Sequence, residues 1–339
     1  MAVDSSEVLS FLNSQTNTSY LLAVQNSLNS RLIRLGVPTN LQSATPIPAV
    51  SYRSPIQFDY ARLASGYVFF VNSASATGSN AAGYGLTPDA PFLTIDYAIG
   101  QCTASRGDLI VVSAGHTETV TAAAGVALDV AGVTILGLGQ GRQRPRINFT
   151  TATAASLDVT AAKCRIENVY MTCGIDAQTA MINVQAADFS LAFSEIEFAT
   201  SSAQATLVVL TNASADRMVI DGCHIHGTTD AGTATAIRIV GGTDARITDN
   251  VIVGAFTTSL GGIDQNTTTA VNTVVHRNII SNQTASSTKA MVFSSSSTPL
   301  IVNNRLTILS GTAPITAAAG FVGGNTYVAA AGVSASTAL

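Results

Sequence analysis

The sequence predicts an all-β chain: a right-handed parallel β-helix, or solenoid, preceded by a short α-helical segment and an extended arm. Three observations carry this reading. A short motif recurs every 21–29 residues, β-branched residues dominate its anchor positions, and no helical punctuation separates the copies. The motif is an aliphatic residue, a small polar residue three places on, and usually another aliphatic two places later. It is visible in "VIDGCHIHG" at 219–227, "ARITDNVIVGA" at 245–255, "VVHRNIISN" at 274–282 and "LIVNNRLTI" at 300–308.

The anchors are Ile166, Leu191, Ile220, Ile247, Val275, Ile301 and Val322. Three places after each come Val169, Ser194, Cys223, Asn250, Asn278, Asn304 and Asn325. The run Asn250, Asn278, Asn304, Asn325 predicts an internal ladder, in which side-chain amides stack along the solenoid axis and hydrogen-bond from coil to coil. Between anchors lies a second strand signal, "AMINV" at 180–184, "TLVVL" at 206–210, "AIRIV" at 236–240 and "AMVFS" at 290–294, with Gly, Ser, Thr and Asp clusters in between. Each coil therefore reads as strand, turn, strand, turn. Stacked about 4.8 Å apart, such coils bury alternate residues in a shared core and leave open backbone edges only at the two ends.

Composition supports an elongated body. The 339 residues are 47% hydrophobic but only 11% charged, with 27 glycines and no tryptophan, and nothing marks a second globular domain. A net charge of −4 with 16 basic residues suggests no concentrated positive patch and argues against nucleic acid as a partner. Cys102, Cys164, Cys173 and Cys223 fit no CxxC or metal spacing and read as buried free thiols. The opening "MAVDSSEVLS" lacks a basic and then apolar leader, so export through a signal peptide is not expected. The apolar stretch at 121–141 contains Asp129 and five glycines and alternates like strands around a turn, so no membrane span is expected.

The front of the solenoid has its own signature. In "GYGLTPDAPFLTIDYAIGQCTASRGDLIVVSAGHTETV" at 83–120, a turn leads to a short amphipathic helix around 94–101, with Phe92, Ile95, Ala98 and Ile99 on one side, and then to an inner strand at 109–112. Here the chain resembles the pectate-lyase-like β-helix superfamily, in which a "P-F-x-T-I-x-x-A-I" helix plugs the opening and a "G-D-x-I-x-V-x-x-G" strand starts the first coil. Residues 91–99 and 107–115 match that pattern. The resemblance covers about residues 67–330 and implies fold rather than activity. It also implies a setting, since β-helices of this kind are common in phage tailspikes and other virion proteins.

Three regions follow: a helix and attachment arm over 1–66, the β-helix with its capping helix over 67–330, and a small-residue tail over 331–339. In the first, Leu21, Val24, Leu28, Leu32 and Leu35 fall on one helical face before Gly36 and Pro38 stop the helix, and a proline-rich arm follows. That face needs a partner, either the chain's own solenoid or another subunit.

The candidates for chemistry are few. Glu195 and Glu197 share a strand face, as paired carboxylates would need. His224 and His226 share another, near Asp221 and Asp230, and suggest an acid–base or metal site. Asp244, Asp249, Asp264, His276 and Arg277 look like scattered singles. Against chemistry stand the absence of the clustered signatures of β-helix pectin hydrolases and the lack of tryptophan platforms for sugar rings. The outer face is expected to be Ser, Thr, Asn and Ala. No cofactor and no bound metal are predicted.

These features favour a non-enzymatic virion protein assembled in a host cytoplasm. It would be a capsid decoration, cement or spike protein that docks on a capsid or tail protein through its first 66 residues and projects a β-helix, as a homotrimer. The alternative is a tailspike that binds or cleaves host polysaccharide between subunits, with Glu195, Glu197, Asp221 and His224 as the residues to test.

Overall fold

In a computed structural model, the residues described are 64–200, 202–228, 232–257, 259–265, 270–293, 297–311, 313–317 and 319–329. The N-terminal helical face from Leu21 to Leu35, most of the arm, Asp230 and the tail lie outside them. The fold is a parallel β-helix. Its coils contribute to three long sheets of 10, 11 and 8 strands, and nearly every strand pair is parallel to its neighbour one coil on.

The first sheet is built on the anchors. Phe69, Ile110, Ile135, Ile166, Leu191, Ile220, Ile247, Val275, Ile301 and Val322 lie in one unbroken register, each opposite the next. All but Val322 are buried. The row begins one strand earlier than Leu109–Val112, because Val68–Val71 pairs with it. The third sheet collects the second strand signal of the sequence: Ile182–Val184, Leu207–Thr211, Thr235–Arg238 and Met291–Phe293. Within 121–141 the structure places two short strands, Val126–Leu128 and Thr134–Gly137. Among the described residues no helix is long and apolar enough to cross a membrane.

One expectation needs correcting: each regular coil has three strands, not two. The recurring motif is itself two strands joined by a tight corner, as in Arg246–Thr248 followed by Val251–Gly254. The corner turns on a single residue of positive φ: Asn168, Phe193, Gly222, Asp249, Arg277, Asn303 and Gly324 in successive coils, with φ between 47° and 65°. Most of these are not glycine, so the break leaves little trace in the sequence.

In the last four coils the residue after the corner is an asparagine, and its side chain ties the corner to its neighbours. Asn250 Nδ2 donates to Asn278 Oδ1 (3.0 Å), Asn278 to Asn304 (3.0 Å) and Asn304 to Asn325 (2.9 Å). The side-chain oxygens of Asn250, Asn278, Asn304 and Asn325 accept the backbone N–H of Cys223, Asn250, Asn278 and Asn304, one coil back. Each Nδ2 also donates to a carbonyl of the preceding coil, at Ile220, Ile247, Val275 and Ile301. Four fully buried amides are thereby satisfied at both ends.

The front is closed by a helix over Ile95–Ile99, whose N-cap Thr94 accepts from Tyr97 N. Ile95, Ala98 and Ile99 face the core, and Phe92 stands between Phe69 and Tyr97 at centroid distances of 5.9 and 5.0 Å. Beside the cap, Asp108 is buried and accepts from Tyr67 N, Thr103 N and the Arg106 guanidinium at 2.6–2.7 Å. The cysteines carry free thiols; Cys164, Cys173 and Cys223 are buried and Cys102 partly so.

Candidate functional site

The second sheet carries the charged groups. Its strands Thr117–Val120, Arg146–Phe149, Tyr170–Cys173, Glu195–Ala199 and His224–Gly227 are in parallel register. The period-2 alternation turns Ile147, Met171, Ile196 and Ile225 into the core and their neighbours outward. Two outward rows result. One runs Thr117, Arg146, Tyr170, Glu195, His224; the other runs Thr119, Asn148, Thr172, Glu197, His226. Charge and aromatic character therefore stack up one face of the rod, where the sequence reading expects Ser, Thr, Asn and Ala.

A groove of about 590 Å³ opens at this face, lined by His116, Arg142, Arg144, Arg146, Tyr170, Glu195 and Glu197 with Gly115, Thr117 and Gly141. Its upper wall is the corner loop 138–145. A 3₁₀ turn at Gly141–Gln143 shapes that loop, and Asn168 Nδ2 pins it by donating to Gly137 O and Gly139 O at 2.8 and 2.9 Å. Pro145 is buried, which presents Arg144 and Arg146 on either side of it toward the groove.

The polar contacts inside form a chain. Arg144 Nη1 donates to Glu195 Oε2 at 3.2 Å, and the other oxygen of Glu195 lies 3.2 Å from His226 Nε2. Tyr170 donates its hydroxyl to Glu197 Oε2 in a short hydrogen bond. Arg146 lies over the Tyr170 ring, 4.8 Å from its centroid. Burial and then Glu197 push the Tyr170 hydroxyl up to about 12, so it stays protonated and acts as a donor. The rings of His224 and His226 stack 4.5 Å apart. Partial burial and the neighbouring His226 lower the His224 pKa, against the opposing pull of Glu195.

Of the sequence candidates, Glu195, Glu197 and His224 converge on one face, joined by His226. Asp221 does not: it ends a first-sheet strand and accepts a short hydrogen bond from Thr248. The supposed singles also have partners. Asp249 pairs with Arg277, and buried Asp264 with Arg238 at 3.0 Å. Sequence reasoning missed Arg142, Arg144, Arg146 and Tyr170. The signal was there in "GRQRPRI" at 141–147, three arginines in alternate positions, but the low overall charge hid a local concentration.

Chemically, the groove sets three guanidinium groups against two carboxylates. Both carboxylates already accept from groove residues, whereas Arg142 makes no ion pair among the described residues. Such a lining suits anions, and neither glutamate stands apart as an unengaged acid or base.

No family model matches the chain, and no curated protein matches it. Solved structures that align with the chain include one described as "Crystal structure of pectate lyase Pel9A", with 10% sequence identity, a TM-score of 0.45 and coverage of 78% of this chain and 79% of that one. Another, described as "Rhamnogalacturonan lyase", has 10% identity, a TM-score of 0.40 and coverage of 74% and 84%. The fold rests on the chain's own strand pairing, which is that of a parallel β-helix.

Proposed function

We propose that the protein binds an acidic polysaccharide along the outer face of its second sheet. The observation that carries this reading is the groove lined by Arg142, Arg144 and Arg146. Guanidinium groups match the planar carboxylate of a uronic acid or the oxygens of a phosphate or sulfate ester, and a groove lined from several stacked coils suits a chain-like ligand. Binding rather than cleavage is favoured because Glu195 and Glu197 are both tied to donors. The test is a binding screen across acidic and neutral polysaccharides, run for the wild type and for Arg142→Ala and Arg146→Ala. Selective binding of acidic chains that weakens in both variants supports the reading; binding that ignores ligand charge and both arginines overturns it.

A second reading concerns assembly: a virion decoration or spike protein that docks through residues 1–66 and packs its rods as a trimer. It is supported by the apolar residues exposed on the last coils. Leu300 and Phe321 are adjacent on the first sheet, and Ile279 and Val328 lie on the second. Light scattering tests it, with a trimer expected and a monomer at all concentrations counting against it. The two readings are compatible, since a spike needs both an attachment end and a ligand.

A further inference from the structure

We propose that Glu195, His224 and His226 form a binding site for a first-row divalent transition metal, with zinc as the leading candidate. The site shares Glu195 with the groove and meets its arginine side at Arg144, while its two histidines lie outside the groove lining; it stands whether or not the groove takes a glycan.

The backbone register sets up the geometry. Glu195 lies directly opposite His224 on the next coil, and Glu197 opposite His226. The two histidines are two residues apart on one strand and so project from the same face. One ligand atom from each of Glu195, His224 and His226 lies within 4.8 Å of the others. The tightest edge, His226 Nε2 to Glu195 Oε1, is 3.2 Å. Two ligands about 2.0–2.2 Å from a tetrahedral zinc stand roughly 3.4 Å apart, so this edge already has the spacing of a metal polyhedron. His224 is exposed and needs only a rotamer adjustment to complete the third corner.

The donor set also selects the ion. Two imidazoles and one carboxylate suit zinc, cobalt, nickel or copper, whereas calcium and magnesium require oxygen ligands. Arg144 engages the second oxygen of Glu195 at 3.2 Å. That contact orients the carboxylate so that its other oxygen faces the histidines. Its positive charge also opposes a dication, so the expected affinity is moderate. With three protein ligands, the fourth position faces solvent.

The experiment uses full-length protein stripped with a chelator, then dialysed separately against zinc, cobalt and calcium chlorides. The expected result is retention of one zinc per chain, no comparable retention of calcium, and visible cobalt absorption bands of the strength that tetrahedral coordination produces. His224→Ala, His226→Ala and Glu195→Gln should each weaken zinc retention at least tenfold, while His276→Ala, on the first sheet, should leave it unchanged. Circular dichroism and melting curves establish that the variants are folded, and the wild-type cobalt spectrum reports on the site without any variant. The proposal is overturned by zinc retention equal in wild type and the folded His224→Ala/His226→Ala double variant, or by octahedral-type cobalt spectra in the wild type. Loss of zinc binding would not touch the glycan reading, which is tested without added metal.

Discussion

At the scale of single residues, the protein depends on buried polar atoms that are satisfied only by the neighbouring coil. Asn278 shows the case most clearly. Its side chain donates to Ile247 O and Asn304 Oδ1, and its Oδ1 accepts from Asn250 N and Asn250 Nδ2. Asn278→Ala removes these bonds and leaves buried partners on two coils unpaired, so a loss of about 2–4 kcal/mol is expected from urea unfolding. Asn303, next to the ladder in another coil, poses the opposite problem, since it holds φ at 56°. Asn303→Gly should be neutral or slightly stabilising, whereas Asn303→Val should cost about 1–2 kcal/mol, because a β-branched residue resists that conformation. Asp108 supplies a pH-dependent term. Burial alone would raise its pKa, but the Arg106 pair and the backbone donors of Thr103 and Tyr67 bring it below its ordinary 3.8. The stability it confers is therefore complete above about that pH and is lost as the pH falls through the lower folded value. Asp108→Asn should destabilise the cap at neutral pH and flatten the acid limb of the stability curve, as followed by melting between pH 2 and pH 7.

At the scale of elements, the anchors were legible because burial on every coil demands a large aliphatic at a fixed place. Ile247→Asp should accordingly cost about 4 kcal/mol or more by burying a charge without a partner, measured as a shift in the unfolding midpoint. The corner between the first and second sheets was not legible. It is a one-residue turn made with non-glycine residues such as Asn168, Asp249, Arg277 or Asn303, and at the last three of these a ladder asparagine follows it. A strand, a corner and a second strand consequently looked like one strand. The capping helix was legible from its apolar spacing, and the structure adds its Thr94 cap. The groove was legible only in part. Glu195, Glu197, His224 and His226 announced a shared face by their i, i+2 spacing, but Tyr170 and the arginines join them through coil stacking, which brings together residues 24–31 positions apart. No local window shows that.

At the scale of the whole molecule, the described coils gather Arg146, Tyr170, Glu195 and Glu197 on the outer face of the second sheet, beside Arg142 and Arg144 of the corner loop. Because coils interact mainly with their neighbours, stability is close to a sum of repeat and interface terms, and outward positions can change without disturbing the core. That separation lets the groove residues be substituted one at a time: Arg142 and Arg146 are exposed, and alanine there should leave the melting temperature within about 2 °C of wild type. The most direct measurement is a calorimetric titration with an acidic oligosaccharide and with its carboxyl-reduced counterpart, identical in shape but uncharged. The account predicts measurable binding of the acidic form and at least a tenfold weaker affinity for the reduced one, about 1.4 kcal/mol or more. Equal affinity for the two forms, or binding of the acidic form undiminished in Arg142→Ala/Arg146→Ala, would contradict it.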